Sequence, residues 1–425
     1  ALPIFTDNSL RTGNAGSGTS YGDGPCIMVR DSTSVKITAN NFQGAGPRER
    51  VAIRGITSTG SDFTLVLDQA TSPWKANGYI VIRGATPAAY NGVWRVQAST
   101  DQVPFATVTV STAVNPGTAS VAGVAEGISA CLYVSADAGS CNESQVTGNL
   151  FEEMAFRGYG SASMFFDATR SDSRVQGWSI AGDYCDLGEN GIIIQGKPTA
   201  AIESTCYGFN ITGGEFESGT RLILLDQVRG VTINGLNSSA FGETGLGQDN
   251  LLPSGIGSTA IQIIAGSAEP KSRGISITNC NLGMNREWAY QQWTLYAMDA
   301  AIILDGAGIQ DVMVTGCQLY GKSSGGAVQS VNSALATSSR WTFRDNRSIS
   351  GSGPGWTNAQ EIPTVASATT ITLPLSLERV TISGTTAIGT INGAHIGREI
   401  TLLFTGASSF VTGGNIKWAS SRSEE

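Results

Sequence analysis

Histidine is almost missing from this chain. His395 is the sole example among 425 residues. That scarcity removes most metal sites and every Ser-His or Cys-His mechanism, unless His395 itself serves. His395 falls in the C-terminal segment and is expected to be structural. Charge is sparse as well, at 14% of residues, with 26 Lys+Arg against 34 Asp+Glu and a formal net charge of −8. Without a basic stripe, nucleic acid is not expected as a partner. No apolar run approaches the ~18 residues of a membrane span, so no membrane insertion is expected. The opening ALPIFTDNSL has neither the charged start nor the apolar stretch of a secretory leader. The seven cysteines form no CxxC pair, and an odd, irregular set reads as reduced core thiols rather than a disulfide frame or zinc site. Neither a metal nor another cofactor is expected. Helical periodicity is nearly absent.

Glycine and short alternating runs are abundant. There are 54 glycines, about one residue in eight, against the ~7% usual for globular chains. The runs SVKITANNFQG, GWSIAGDYCDLG, FNITGGEFESG, VTINGLNSS, ISITNCNLG, VMVTGCQLYG and WTFRDNR each alternate apolar and polar, then turn at Gly, Asn or Asp. Their central apolar residues are Ile37, Ile180, Ile211, Ile233, Ile277, Val314 and Phe343. From Ile180 onward the steps are 31, 22, 44, 37 and 29 residues. A second family of runs lies between them: GIIIQG, RLILLDQ, TAIQIIAG, AAIILDG and GAVQSV. Two recurring strand families with a 22-residue minimum step suit a solenoid whose coils bury their faces only against neighbours.

The fold class expected is therefore all-β: a right-handed single-stranded parallel β-helix. A β-sandwich with irregular strands is the alternative. In the stacked alignment Asn41, Glu215, Asn237, Asn281 and Gln318 share a polar turn position. Phe42, Phe216, Leu282 and Leu319 share the inward position after it, and Cys280 stacks on Cys317. Residues 1–45 start the helix, 46–125 read as a small inserted β-domain, 126–360 carry the main helix, and 361–425 form a C-terminal β-rich cap. The cap would close the open coil end, associate with copies of itself, or both.

Three features resemble a known group: the coil strands, the insert carrying IRGATPAAYNGVWRV, and TTITLPLSLERVTISGTTAIGTINGAHIGREITLLFTG with GGNIKW after it. Together they are similar to bacteriophage tailspikes, the polysaccharide depolymerases of the pectate-lyase-like β-helix type. The resemblance implies a homotrimer on the virion, joined to the phage tail baseplate or an adaptor. It also implies that the protein binds and cuts bacterial surface polysaccharide, O-antigen or capsule.

Loop lengths suggest where a sugar would lie. After Ile180 and Ile211 the chain reaches its next strand within roughly ten residues, but after Ile233 it takes about 25 and after Ile277 over 20. Two neighbouring coils thus throw long loops from one corner, which should wall a groove floored by the Ile180 and Ile211 coils. The second loop carries Trp288, Tyr290, Trp293 and Tyr296 as stacking platforms for sugar rings, with Glu287 and Asp299 able to reach in. Cleavage without histidine falls to paired carboxylates. Asp186 and Glu217 share a column on consecutive rungs, with Glu215 on the same turn. Asp226 and Asp305 end equivalent strands two rungs apart, separated by Ile264 or Ala265 according to register. Each carboxylate could instead be a solvated turn residue or cap backbone N–H groups. The expected activity is endo-glycoside hydrolysis. A polysaccharide lyase using Arg221, Arg229, Arg286 or Lys197 as its cation is the alternative, and a non-cleaving receptor-binding adhesin the second.

Overall fold

The computed structural model describes residues 4–6, 9–11, 24–111, 117–152, 160–197, 204–238, 250–253, 255–265, 272–283, 298–322, 327–332, 341–350, 364–373, 379–393 and 399–411. Its body is a parallel β-helix built from three strand faces. Face one runs through Ile4–Thr6, Lys36–Thr38, Gln145–Thr147, Ser179–Ala181, Cys206–Thr212, Val228–Asn234, Arg273–Thr278, Gln310–Thr315 and Trp341–Arg344, each strand parallel to the next. One column climbs the whole face, from exposed Phe5 at its start through the inward Ile37, Val146, Ile180, Ile211, Ile233, Ile277, Val314 and Phe343. The column expected from sequence is all there. Two further rungs, at Phe5 and Val146, extend it.

Face two begins at Ser9–Arg11 and Asn41–Gln43 and stacks Leu150, Tyr184, Glu215, Asn237, Asn281, Gln318 and Arg347 in register. Face three starts at Ile27–Arg30 and stacks Ser129–Ser135, Ser161–Ala168, the C-terminal parts of Tyr184–Gly196 and Glu215–Asp226, then Thr259–Ile264, Ala300–Asp305 and Val328–Val331. Its alternate residues Ile192, Ile223, Ile261 and Ile302 point inward and are fully buried.

The corner after face one explains the recurring Gly, Asn and Asp. Ala39, Gly148, Gly182, Gly213, Gly235, Asn279, Gly316 and Asp345 occupy one column, and every one has positive φ. Their N–H groups donate to the carbonyl of the next rung, from Ala39 to Thr147 through Gly316 to Arg344. This left-handed bend is cheapest for Gly and accessible to Asn and Asp. The next position turns inward. There Asn40 and Asn149 form a buried ladder in which the Asn149 side chain accepts the Asn40 N–H at 2.9 Å and donates to the Ile37 carbonyl at 3.1 Å. Asp183 continues the ladder. Higher up, Cys280, Cys317 and Asn346 fill the same place, the Asn346 amide accepting the Cys317 N–H at 3.0 Å and donating to the Val314 carbonyl at 2.9 Å. All seven cysteines are free thiols, as expected, and six are buried.

Between faces two and three of one coil the chain leaves to form a closed six-stranded barrel within Arg50–Glu126. The barrel has its own core of Phe63, Leu65, Tyr90, Trp94 and Val108. It does not hang free. Tyr79, Val81 and Val93 on its outside pack against the outward-facing Tyr133, Phe165, Ile193 and Leu224 of face three. Charged groups frame the contact. Arg170 reaches the Glu49 carboxylate at 2.9 Å and Asp167 at 2.9 Å, and the Tyr133 hydroxyl donates to Asp167 at 2.5 Å.

Residues 364–411 form two small parallel sheets, one of Thr364–Ala366, Arg379–Ser383 and Thr401–Phe404, the other of Thr370–Thr372 and Thr390–Asn392. Val380, Ile382 and Ile388 make its core, while Leu403, Phe404 and Val411 stay exposed. The end piece thus repeats the parallel stacking of the body on a smaller scale.

Candidate functional site

The corner between faces two and three is where the coils differ most. On the Ile180 and Ile211 rungs the chain passes it without a break, as the continuous strands Tyr184–Gly196 and Glu215–Asp226. On the next rung it departs after Asn237–Ser238 and returns at Thr259–Ile264. On the rung after that it departs after Asn281–Leu282 and returns at Ala300–Asp305. Those strands are direct neighbours, so both excursions leave the same edge on adjacent rungs. The barrel leaves from the equivalent corner further down. Between them the two unbroken rungs form a strip.

Glu215 and Glu217 lie on this strip and are half-buried. Tyr184 pairs with Glu215, Cys185 with Phe216 and Gly188 with Ser218. Between those pairs one strand carries Asp186 and Leu187 against the single Glu217 of the other. This is a β-bulge, and Asp186 sits in it. Bulges re-aim side chains, which is one reason they occur beside active sites. Glu189, passed over in the sequence, is fully buried at this corner, where its carboxylate accepts the Gly160 N–H.

The second carboxylate pair has a different setting. Asp226 and Asp305 are two rungs apart with Ile264 between them, which resolves the register in favour of Ile264. Two rungs correspond to ~10 Å. Asp226, however, lies under the barrel with no exposed surface. The Tyr79 hydroxyl donates to its Oδ2 at 2.6 Å, Arg95 pairs with its Oδ1 at 2.9 Å, and Gln195 donates at 3.2 Å. Burial raises the Asp226 pKa, with Arg95 opposing, and burial also pushes the Tyr79 phenol up. In this chain the geometry makes Asp226 a docking residue for the insert. A sugar polymer has no path to it. Asp305 accepts from Asn332 at 2.6 Å and from Gln262 at 3.2 Å. Burial raises its pKa as well.

Asp299 stands at the base of the excursions. It accepts the N–H groups of Gly257 at 2.5 Å and Ser258 at 3.1 Å, while Lys322 approaches at 3.8 Å. It therefore fastens one excursion to the other. Glu287, Trp288, Tyr290, Trp293 and Tyr296 lie outside the described residues, as do Arg286 and His395. Arg221 is enclosed, bonded to Asn190 at 2.9 Å and Gln262 at 2.6 Å. Lys197 pairs with Asp172 at 3.1 Å.

No family model matches the chain, and no curated protein matches it. Among solved structures it is similar to the tailspike protein gp49 from Pseudomonas phage LKA1, at 13% identity and TM-score 0.25, over 96% of this chain and 68% of that one. It is similar to the Pseudomonas phage phi297 tailspike gp61, at 14% identity and TM-score 0.20, over 92% of this chain and 64% of that one. The gp54 tailspike of Acinetobacter baumannii bacteriophage AP22, solved in complex with A. baumannii capsular saccharide, aligns at 12% identity and TM-score 0.21, over 96% of this chain and 61% of that one. The chain thus spans about two thirds of the length of these tailspikes or less. The likenesses are distant, and the β-helix is defined by its own ladders.

Proposed function

We propose that this chain is the polysaccharide-recognising part of a bacteriophage tailspike, and that it cuts bacterial surface polysaccharide as an endo-acting glycoside hydrolase. In this reading it works as a homotrimer on the phage tail, joined to the baseplate or an adaptor, at the bacterial cell surface. The observation that carries it is the strip at the corner of faces two and three. Two long excursions stand on adjacent rungs beside two rungs that have none, and half-buried carboxylates line the uninterrupted part. An endo-acting enzyme needs such an open trough, because a polymer enters it side-on.

Glu217 and Asp186 are the pair we assign to the chemistry, with Glu215 beside them. Adjacent rungs are ~4.8 Å apart, close to the ~5–5.5 Å carboxyl separation of retaining glycosidases. One carboxyl donates its proton to the glycosidic oxygen as the bond breaks. The other, ionised, attacks the anomeric carbon or activates water. The aromatic residues Trp288, Tyr290, Trp293 and Tyr296 would stack on sugar faces from the second excursion, with Glu287 beside them. Asp299 holds the loop bases in place rather than the sugar. Asp305 remains a secondary candidate.

The enclosure of Arg221 removes one of the four cations a lyase could set against a uronate carboxylate. Product chemistry tests this directly. Digestion of surface polysaccharide should yield new reducing ends without near-ultraviolet absorbance, and Glu217→Gln should abolish them. An absorbing, unsaturated product would replace the hydrolase with the lyase, and intact polymer would leave an adhesin.

A further inference from the structure

A different corner of the helix carries features the cleavage strip does not use. Within face one the strands bend a second time, at a column of positive-φ residues: Ser34, Glu143, Gly177, Gly208, Gly230, Gly274 and Asp311. Ser, Glu and Asp at three of these rungs show that the bend itself tolerates a side chain. Yet four successive rungs are glycine, so a band of bare backbone runs along the axis at ~4.8 Å per rung. Beside it runs the column Gln176, Tyr207, Arg229, Arg273 and Gln310, held in register by the same ladders.

The middle of this band is a cleft of about 390 Å³ lined by Arg174, Ser204, Tyr207, Gly208, Arg229 and Gly230. Two of those six residues are arginines, and no carboxylate is among the described lining residues, in a chain whose net charge is −8. Arg174 donates to the Tyr207 hydroxyl at 3.2 Å, and its guanidinium lies 5.7 Å from the ring centre. Asp172, two residues before Arg174, pairs with Lys197 at 3.1 Å. Arginine's planar fork matches carboxylate and sulfate or phosphate oxygens, and a neighbouring aromatic face matches the C–H face of a pyranose. A flat, side-chain-free band gives an extended chain room to lie against both.

We infer that this cleft is a second saccharide-binding site, selective for an acidic glycan, and separate from the cleavage strip. Arg229 and Arg174 hold the acidic substituents, Tyr207 supports a ring, and Arg273 continues the contact one rung higher. The site would hold a long polymer on one flank while another stretch is worked on elsewhere. It stands whether or not the strip at faces two and three cuts.

Hexagalacturonate titrated calorimetrically into the full chain, with maltohexaose as the neutral control, tests it. The wild type should bind the acidic hexamer, bind it less as salt is added, and ignore maltohexaose. Arg229→Glu and Tyr207→Ala should each weaken binding by about tenfold or more while keeping the wild-type melting temperature. Glu217→Gln should leave this affinity unchanged, which separates the cleft from the cleavage strip. The inference is overturned if the hexamer does not bind, if both hexamers bind alike, or if Arg229→Glu binds as the wild type does.

Discussion

Asp183 is the residue whose chemistry conflicts most plainly with its place. It sits in a ladder of asparagines with 1% of its surface exposed, and its Oδ1 accepts both the backbone and side-chain N–H of Asn149 at 2.8 Å. Burial raises its pKa to about 6, against the Asn149 bonds that lower it. The folded state therefore holds this proton more tightly than the unfolded chain does. Stability contributed by the protonated form is present at low pH and is lost as pH rises from about 4 through about 6. Asp183→Asn should remove the loss, because an amide can accept from Asn149 and also donate to the Val146 carbonyl, as Asn149 does to Ile37. Denaturation at pH 7 should show the variant more stable by about 2–3 kcal/mol, with no gain at pH 3.5. The signal for this ladder was present in the sequence as the Asn or Asp that follows the corner residues Ala39, Gly148 and Gly182. It went unread because the polar column aligned was the one a residue later, at Asn41 and Glu215.

Asp226 and Glu217 make a contrast at the same scale. Removing the enclosed partner of Arg95 and Tyr79 leaves buried groups unpaired, so Asp226→Ala should cost about 3–5 kcal/mol of stability. Glu217→Gln should change stability by less than about 0.5 kcal/mol and remove cleavage. A chemical-denaturation curve alongside a reducing-end assay separates the two roles. Nothing local in the sequence marks Asp226 as a docking residue. Its partners are 131 and 147 positions away, and only the folded barrel brings them together.

At the scale of strands and turns, the coil was legible because each rung repeats the same pattern of apolar residues in and polar residues out. The registers of Ile180, Ile211, Ile233, Ile277, Val314 and Phe343 follow from that repetition alone. The Val146 rung, Gln145–Thr147, was not aligned, although it is no shorter than the Lys36–Thr38 rung that was. The left-handed corner makes its own prediction. Gly235 sits directly below Asn279 in that column, and a Cβ there meets nothing closer than 3.9 Å. Gly235→Asn should therefore be close to neutral, whereas Gly235→Val should cost about 1–2 kcal/mol, since a β-branched residue resists positive φ. Thermal denaturation of the pair reads the difference.

Across the whole molecule, the β-helix acts as a ruler. It sets one-rung spacings along a rigid axis and lets sequence length vary only at chosen corners. One corner carries the barrel and both long excursions, and in the function proposed that shared edge would gather a trough, its walls and its carboxylates into one place. Loop lengths made the edge visible in advance. The barrel's seat over face three was hidden, because the outward residues Tyr133, Phe165, Ile193 and Leu224 read equally well as the buried side of a strand. The most direct test of the account is the size distribution of surface polysaccharides from a panel of bacterial strains after incubation with the full chain. The account predicts that at least one polymer collapses to short oligosaccharides, and that Glu217→Gln, folded and stable, leaves that same polymer at full length. Polymer that stays long with the wild type, or that Glu217→Gln shortens equally well, would contradict it.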